Sequence, residues 1–190
     1  MSDPASVSSA QHIIRDGAVV ADDWRLVESC EHGIAEILPI SPKLIVPLKV
    51  WLAECDALTG NQRSLGVWLD SHEDPAELAD DVEHLQLIAV NFPTFKDGRG
   101  YSIAYSLRNR YGYTGELRAI GDVLRDQLFY MQRVGFNAFQ VRADKDINDA
   151  LKALHDFSNV YQASTDQPEP LFRRRALAGV KGAIKAAAKA

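Results

Sequence analysis

From about residue 65 onward, short apolar runs alternate with amphipathic segments. The runs SLGVWLD, LQLIAVNF, ELRAIGD and NAFQVR are rich in aliphatic and aromatic residues and predict four strands. Each is followed by a segment with helical spacing; in order these are DPAELADDVEHL, roughly Tyr101 to Tyr111, VLRDQLFYMQRVG and INDALKALHDF. In the first of them Asp74 is a cap and Pro75 suits the first turn. This alternation predicts an α/β fold of repeated βα units with a mainly parallel sheet.

The N-terminal part of the chain has a different pattern. In HIIRDGAVVADDWRLV, short β-branched runs flank Asp16 and Gly17, a dipeptide that favours a tight turn, so a small N-terminal β-hairpin is expected before the βα units. Pro47 then opens a predicted helix, PLKVWLAECDAL. The apolar residues expected on the inner side of that helix are Leu48, Trp51, Leu52 and Cys55.

The composition fits one folded domain with termini that lie outside it. The chain has 190 residues, of which 46% are hydrophobic and 25% charged, values typical of a globular protein with a real core. We expect a disordered N-terminus over 1–10, a single α/β domain over 11–172 and a basic tail rich in Ala and Lys over 173–190. Because no apolar run approaches 18 residues and the start MSDPASVSSAQ lacks a leader pattern, we expect no membrane partner and a cytoplasmic location.

Charge is distributed unevenly along the chain. The net charge is −5, but the segment from Arg173 to the end has six basic residues and no acidic one, which leaves −11 for the rest. Such a tail can bind an anionic partner, or it can be a solvated helix. The acidic body makes nucleic acid the weakest candidate partner.

The predicted parallel sheet places several polar loops along one edge. In such sheets the carboxyl ends of the strands meet at one edge, where ligands bind. The loop residues expected there are Asp70, Ser71 and His72, then Pro93 to Gly100, then Gly121, Asp122 and Arg125, and finally Arg142 and Asp144.

The segment FKDGRGYS is the strongest candidate for a site. It leaves a strand, turns on Gly98 and Gly100 and enters a helix, so helix N–H groups and Arg99 could hold an anion. The alternative is that Asp97 or Ser102 caps the helix, the glycines only turn the chain and Arg99 lies in solvent. The candidate anion-binding or partner-binding set is Asp97, Gly98, Arg99, Gly100, Ser102, Asp122, Arg125 and Arg142.

No familiar cofactor or catalytic motif accompanies this segment. It matches neither the Walker phosphate loop nor the dinucleotide fingerprint, and the histidines have no metal-ligand spacing. The two cysteines, Cys30 and Cys55, form no C-x-x-C pair. We therefore expect no metal and no resident cofactor, and the catalytic residues, if there are any, stay unknown.

One long stretch resembles a known bacterial family. The blocks DGRGYS, GELRA and DQL, with LGVWLD before them and DFSNVYQ and EPLFRRR after them, are similar to the uncharacterised family called domain of unknown function 934, from about the hairpin to Arg175. Members of that family are typically encoded beside the sulfite reductase hemoprotein subunit of assimilatory sulfate reduction, so the resemblance implies that pathway, and some members carry the label of probable oxidoreductase. The motif positions here are Asp97, Gly98, Arg99, Ser102, Gly115, Glu116, Arg118, Gly121, Asp122, Asp126 and Gln127.

Two function classes follow from this resemblance. The first is an accessory protein of assimilatory sulfite reduction that docks on the sulfite reductase hemoprotein subunit or its electron donor. The second is a stand-alone oxidoreductase, or a small-oxyanion-binding enzyme of sulfur metabolism, that uses the loops at the carboxyl ends of the strands. In both, Asp97 and Asp122 would orient Arg99, Arg125 and Arg142. A homo-oligomer stays open.

Overall fold

The computed structural model describes residues 12–28, 43–59 and 64–177. The expected disordered segment 1–10, Cys30 and the tail beyond residue 177 lie outside the described residues. The strands are β1 (His12–Arg15), β2 (Ala18–Ala21), β3 (Arg25–Leu26), β4 (Lys43–Pro47), β5 (Ser64–Leu69), β6 (Leu87–Phe92), β7 (Glu116–Gly121) and β8 (Ala138–Phe139). The α-helices are α1 (Leu48–Thr59), α2 (Arg99–Asn109), α3 (Arg125–Val134) and α4 (Ile147–Lys152), and Pro75–Leu78 and Ala153–His155 form short 3₁₀ helices.

The strands form one eight-stranded sheet in the order β2-β1-β8-β7-β6-β5-β4-β3. All neighbours from β3 to β8 run parallel, which confirms the mainly parallel sheet. The sheet is larger than the sequence predicts, because β3 and β4 extend it beyond the four expected strands. The expected hairpin is present, and it joins the main sheet because β1 pairs antiparallel with β8.

The hairpin turn follows from its two central residues. Asp16 has φ +50° and Gly17 has φ +77°, the backbone signs that a two-residue hairpin loop requires. The Asp16 N–H donates to the Asn137 carbonyl oxygen at 2.9 Å, and the Asn137 amide donates to Asp16 Oδ1 at 3.0 Å. These bonds fix the hairpin to the chain just before β8.

Helices α1 to α4 pack on one face of the sheet. Because consecutive parallel strands lie side by side, right-handed crossovers carry α1, α2 and α3 to the same side, and α4, which follows the last strand, packs against α3. One large apolar cluster joins those helices to the alternate strand residues that face them. A second, smaller cluster lies on the other side, which we call the helix-free face for the described chain; it contains Trp24, Ile45, Leu87, Ala89 and Ile120, with Trp68 packed against it.

Two expectations about helices are wrong in detail. The segment expected as a helix after β5 forms only the 3₁₀ turn Pro75–Leu78, capped as expected by Asp74, whose Oδ1 accepts from the Ala76 N–H at 2.9 Å. Its acidic residues recur three and four positions apart, where like charges destabilise a longer helix.

The second correction concerns the start and inner face of α1. Pro47 ends β4 and Leu48 is the first helical residue, so Pro47 directly precedes the helix instead of lying in it. Leu48 and Trp51 are buried, but Leu52 is 45% exposed. After Leu52 the helix is kinked at Glu54, where φ is −136°, and Cys55 beyond the kink is partly buried against the core as expected.

None of the helices in the described ranges has both the length and the apolar character needed to cross a lipid bilayer.

Candidate binding site at the carboxyl edge of the sheet

The four loops that follow β5, β6, β7 and β8 are connected by a chain of polar contacts along one edge, which we call the carboxyl edge. After β5, Asp70 Oδ1 accepts from Asn91 Nδ2 of β6 at 3.2 Å, and Ser71 helps to lower the pKa of Asp97 in the loop after β6. In that same loop, the Phe95 N–H donates to Asp122 Oδ2, after β7, at 2.8 Å. Asp122 Oδ1 in turn accepts from Arg142 Nη1, after β8, at 2.7 Å. The sequence-predicted loops therefore meet.

Arg99 is held in place by Asp97. Its Nη2 and Nε lie 2.6 Å and 2.9 Å from the two carboxylate oxygens of Asp97, and its backbone N–H donates to Oδ1 at 3.1 Å. The hydrogen bonds from Arg99, and next from Ser71, lower the pKa of Asp97 well below its usual range. The Arg99 side chain is nevertheless 60% exposed, so Asp97 both satisfies the start of α2 and presents an oriented guanidinium to solvent.

Arg142 is held by two carboxylates. Its Nε and Nη2 donate to Asp144 at 2.6 Å and 3.0 Å, and its Nη1 donates to Asp122. Lys145 Nζ lies 3.1 Å from Asp144 Oδ2. The bonds to Asp144, and then to Asp122, raise the pKa of Arg142, while Arg142 and then Lys145 lower the pKa of Asp144. The cluster is thus compensated in charge.

Arg125 and Ser102 are not joined to these pairs. Arg125 begins α3, and its guanidinium lies 3.2 Å from Asp149 of α4 and 3.2 Å from Asp156 beyond it. Ser102 is exposed on α2; the N-cap residue, Gly98, has no side chain that could bond the start of the helix, and it is Asp97 that accepts from the Arg99 N–H there. Of the three predicted arginines, Arg99 and Arg142 belong to the loops of the carboxyl edge and Arg125 connects two helices.

Two glycines of this region have packing roles. Gly100 lies inside α2, not in the turn before it as the sequence suggested, and a Cβ there would lie 2.6 Å from Cζ of Phe92. Gly121 ends β7 with φ +91°, and a Cβ there would lie 2.5 Å from Oδ1 of Asn91. These positions therefore need glycine because α2 and β7 approach β6 closely.

Sequence reasoning missed Phe95, the exposed aromatic residue of the loop after β6. Its side chain is 44% exposed, although its backbone is fixed at both ends. The N–H donates to Asp122, and the carbonyl oxygen accepts from Nε2 of the buried Gln127 at 3.3 Å. Gln127 Oε1 also accepts from the Leu124 N–H at 2.9 Å at the start of α3. The available signal was an aromatic residue inside an otherwise polar loop.

A cavity of about 340 Å³ also escaped the sequence analysis. It lies on the helix-free face, where β5, β6, β7 and β8 approach the carboxyl edge. Among the described residues, those that line it are Leu26, Glu28, Trp68, Asn91, Ile120, Gly121, Gln140, Val141, Arg142 and Ala143. In the sequence, the available signal for this cavity was that Trp68 and Asn91 stand one position before the ends of β5 and β6. Only the pairing register of the two strands shows that these side chains share a face.

The GELRA block has a structural explanation. Arg118 of β7 is 1% exposed, and its Nε donates to Glu116 Oε1 at 2.8 Å. Its Nη2 lies 2.7 Å from the same oxygen, and its Nη1 donates to Asp22 at 2.9 Å. A buried guanidinium needs such partners, so this block fixes the hairpin side of the sheet.

Within the described ranges, no group of three or more His, Cys, Asp or Glu side chains is arranged to hold a metal ion. His72, the histidine expected at the carboxyl edge, is exposed, and its Nδ1 lies 3.2 Å from Asp70 Oδ2.

The family comparison confirms the family that the resemblance named. A search of curated proteins finds no match. The family model described as bacterial protein of unknown function (DUF934) matches residues 66–172, a narrower span than the hairpin-to-Arg175 likeness. The matched span includes most of β5, all of β6, β7 and β8, and the loops of the carboxyl edge. The chain belongs to the DUF934 family.

Proposed function

We propose that this protein is an accessory protein of assimilatory sulfite reduction that docks on the sulfite reductase hemoprotein subunit or its electron donor. The pathway rests on the family resemblance, and the docking surface rests on the carboxyl edge. The observation that carries the docking surface is Phe95, an exposed aromatic side chain on a backbone held by Asp122 and Gln127.

A rigid exposed aromatic residue suits a binding surface. Aromatic side chains and arginines dominate the binding free energy of protein interfaces. Since the loop around Phe95 is already ordered by hydrogen bonds, binding costs little further conformational entropy. A flexible loop with the same residue would lose part of its affinity in becoming ordered.

The arginines near Phe95 favour one orientation of a bound partner. Arg99 is bonded through Nε and Nη2 to Asp97, and Arg142 is bonded to Asp122 and Asp144. Each guanidinium is fixed on one side and exposed on the other, with five N–H groups of which only some are used. Such groups favour a partner with matching polar groups and reject one without them.

The alternative of an oxidoreductase or oxyanion-binding enzyme would use the same arginines. A free oxyanion would have to share each of them with carboxylates already bonded at 2.6 Å to 2.7 Å. Anion binding is weaker where the cation is already compensated. Docking therefore fits the charges of this edge better.

The test is sulfite reductase turnover with its physiological electron donor, measured with and without the purified full chain, alongside size-exclusion chromatography of the mixture. We expect stimulation and co-elution. If neither the reductase nor its donor co-elutes and turnover is unchanged, the accessory proposal is wrong.

The docking surface is tested with Phe95→Ala, which should weaken the complex about tenfold or more. The matched control is Phe172→Ala, at a phenylalanine that is 58% exposed. Phe172 follows Leu171, whose N–H donates to the Tyr161 carbonyl oxygen at 3.0 Å. The next carbonyl oxygen, of Gln162, accepts from Arg133 near the C-terminal end of α3 at 2.6 Å, so the control lies away from the carboxyl edge. Equal loss of affinity in the two variants would contradict the assignment of the surface.

The Arg99→Ala variant tests whether the guanidinium serves partner binding or the stability of the fold. Because the Arg99 side chain is largely exposed, the variant should keep its thermal unfolding temperature within a few degrees and still bind the partner more weakly. A variant that unfolds instead would make Arg99 structural.

A further inference from the structure

The cavity on the helix-free face has an apolar body. Trp68 and Ile120 belong to the smaller apolar cluster of this face, and Leu26, Val141 and Ala143 complete the carbon surface. Trp68 Nε1 already donates to the Val27 carbonyl oxygen at 2.8 Å, so its indole contributes carbon surface to the wall. An apolar wall of this kind suits a ring or a short aliphatic group.

Two amide side chains line the cavity, those of Asn91 and Gln140. Asn91 lines it from β6, and its Nδ2 donates one of two hydrogens to Asp70 Oδ1 at 3.2 Å, which fixes the side-chain orientation. Gln140 lines it beyond β8, and its backbone N–H is taken by the Ala119 carbonyl oxygen at 2.9 Å. An oriented carboxamide can recognise an uncharged donor or acceptor group on a ligand.

The charges around the cavity are predominantly negative. Of the wall residues that the structure describes, Arg142 and Glu28 are charged. The Arg142 guanidinium is bonded to Asp122 and Asp144, and Lys145 is bonded to Asp144. Asp70 is bonded to Asn91. His72 lies against Asp70, with its Nδ1 3.2 Å from Oδ2. At neutral pH the wall and its bonded neighbours thus hold two cations and four carboxylates.

We propose that this cavity is a binding site for a small molecule of about one ring that has a neutral or cationic hydrogen-bonding group. The volume of about 340 Å³ lies at the small end of the range for ligand pockets, and the position is where parallel sheets bind ligands. The negative surroundings disfavour an anionic ligand. The site goes beyond the docking proposal, since it needs no protein partner.

The test uses three probes that share one ring and differ in charge: benzamide, benzamidine and benzoate. Each is titrated to millimolar concentration into the isotope-labelled full chain, and two-dimensional NMR follows the Gly121 and Gln140 backbone amides and the Trp68 indole N–H. We expect benzamide and benzamidine to shift these signals together, with benzoate roughly fivefold weaker or more. Shifts elsewhere, none at all, or tightest binding of benzoate would overturn the proposal.

A variant that closes the cavity provides the second arm. Ala143 is exposed and lines the cavity, so Ala143→Trp should block it while leaving the fold unchanged, which the rest of the spectrum checks. Ala163→Trp is the matched control, at an exposed alanine outside the cavity. The site assignment requires that Ala143→Trp abolish the benzamide shifts and that Ala163→Trp keep them. Retained shifts in Ala143→Trp would place benzamide elsewhere and overturn the assignment.

Discussion

Arg118 and Asp22 form an ion pair at 2.9 Å, although 96 positions separate them in the sequence. Both side chains are almost fully buried, at 1% and 9% exposure. Asp22 directly follows the hairpin and Arg118 lies in the middle of β7, so one carboxylate connects the N-terminal hairpin region to the centre of the sheet.

Removing that carboxylate should therefore destabilise the whole domain. Asp22→Ala leaves the Arg118 charge buried with Glu116 alone, and we expect a loss of about 3 kcal/mol in the free energy of unfolding, measured by urea denaturation. The neighbouring Asp23 pairs with Lys43 at the surface, so Asp23→Ala should cost at most about 1 kcal/mol. Similar losses in both variants would contradict the structural role of the buried pair.

Gly100 should resist replacement by alanine despite its position in a helix. Alanine favours helices by about 1 kcal/mol over glycine, but its Cβ would meet the Phe92 ring, so we expect net destabilisation of about 1 to 3 kcal/mol. Ser102→Ala raises helix propensity on the exposed side of the same helix and should be neutral or stabilising. Thermal unfolding of the two variants gives the comparison, and a stabilised Gly100→Ala would show that α2 does not pack this closely on β6.

Arg108 should not be replaceable by lysine. Its guanidinium donates to three backbone carbonyl oxygens, of Tyr113, Gly115 and Gly135, at 2.6 Å to 2.9 Å. Lysine cannot reach this arrangement of acceptors, so Arg108→Lys should cost about 2 kcal/mol in the free energy of unfolding, measured in urea. Arg110→Lys, at an exposed arginine of the same region, should lie within about 0.5 kcal/mol of wild type. An equally small effect at Arg108 would refute the requirement for a guanidinium.

The Asp97 carboxylate should make stability pH-dependent in acid. Its pKa is lowered in the folded state from 3.8, so its contribution is fully present above that value and is lost as the pH falls through the folded pKa. Carbon NMR titration of the Asp97 carboxyl group should show the lowered value. Arg99→Gln should bring it back toward its ordinary range, because Arg99 is the largest cause of the shift. Arg142→Gln should leave Asp97 unchanged and raise the pKa of Asp144 instead.

The long elements were predictable because their signals are local. The run LIAVNF is apolar on both sides, as a central parallel strand requires, and α2 and α3 show clear helical spacing. The strands β3 and β4 were not predicted. β3 has only two residues, and Pro47 at the end of β4 was interpreted as a helix start. Propensity cannot identify pairing that depends on a neighbouring strand.

The candidate site was predictable as a set of loops but not as a set of contacts. Strand order was enough to bring Asp97, Asp122 and Arg142 to the same edge. Which carboxylate pairs with which arginine depends on side-chain geometry, and the pairing of Arg125 with Asp149 required the position of α4. Phe95 was missed because its importance comes from the hydrogen bonds of its backbone, which composition does not show.

The length of the two edge strands of the sheet also affects how this protein can associate with other molecules. In the described part of the chain its outermost strands are β2, with four residues, and β3, with two, while the six-residue strands β5, β6 and β7 are paired on both sides. A short outer strand offers few unpaired backbone groups to another molecule, which protects against aggregation by strand addition. A dimer formed by continuing this sheet would gain only a few backbone hydrogen bonds, so self-association of this protein would have to rely on side-chain surfaces.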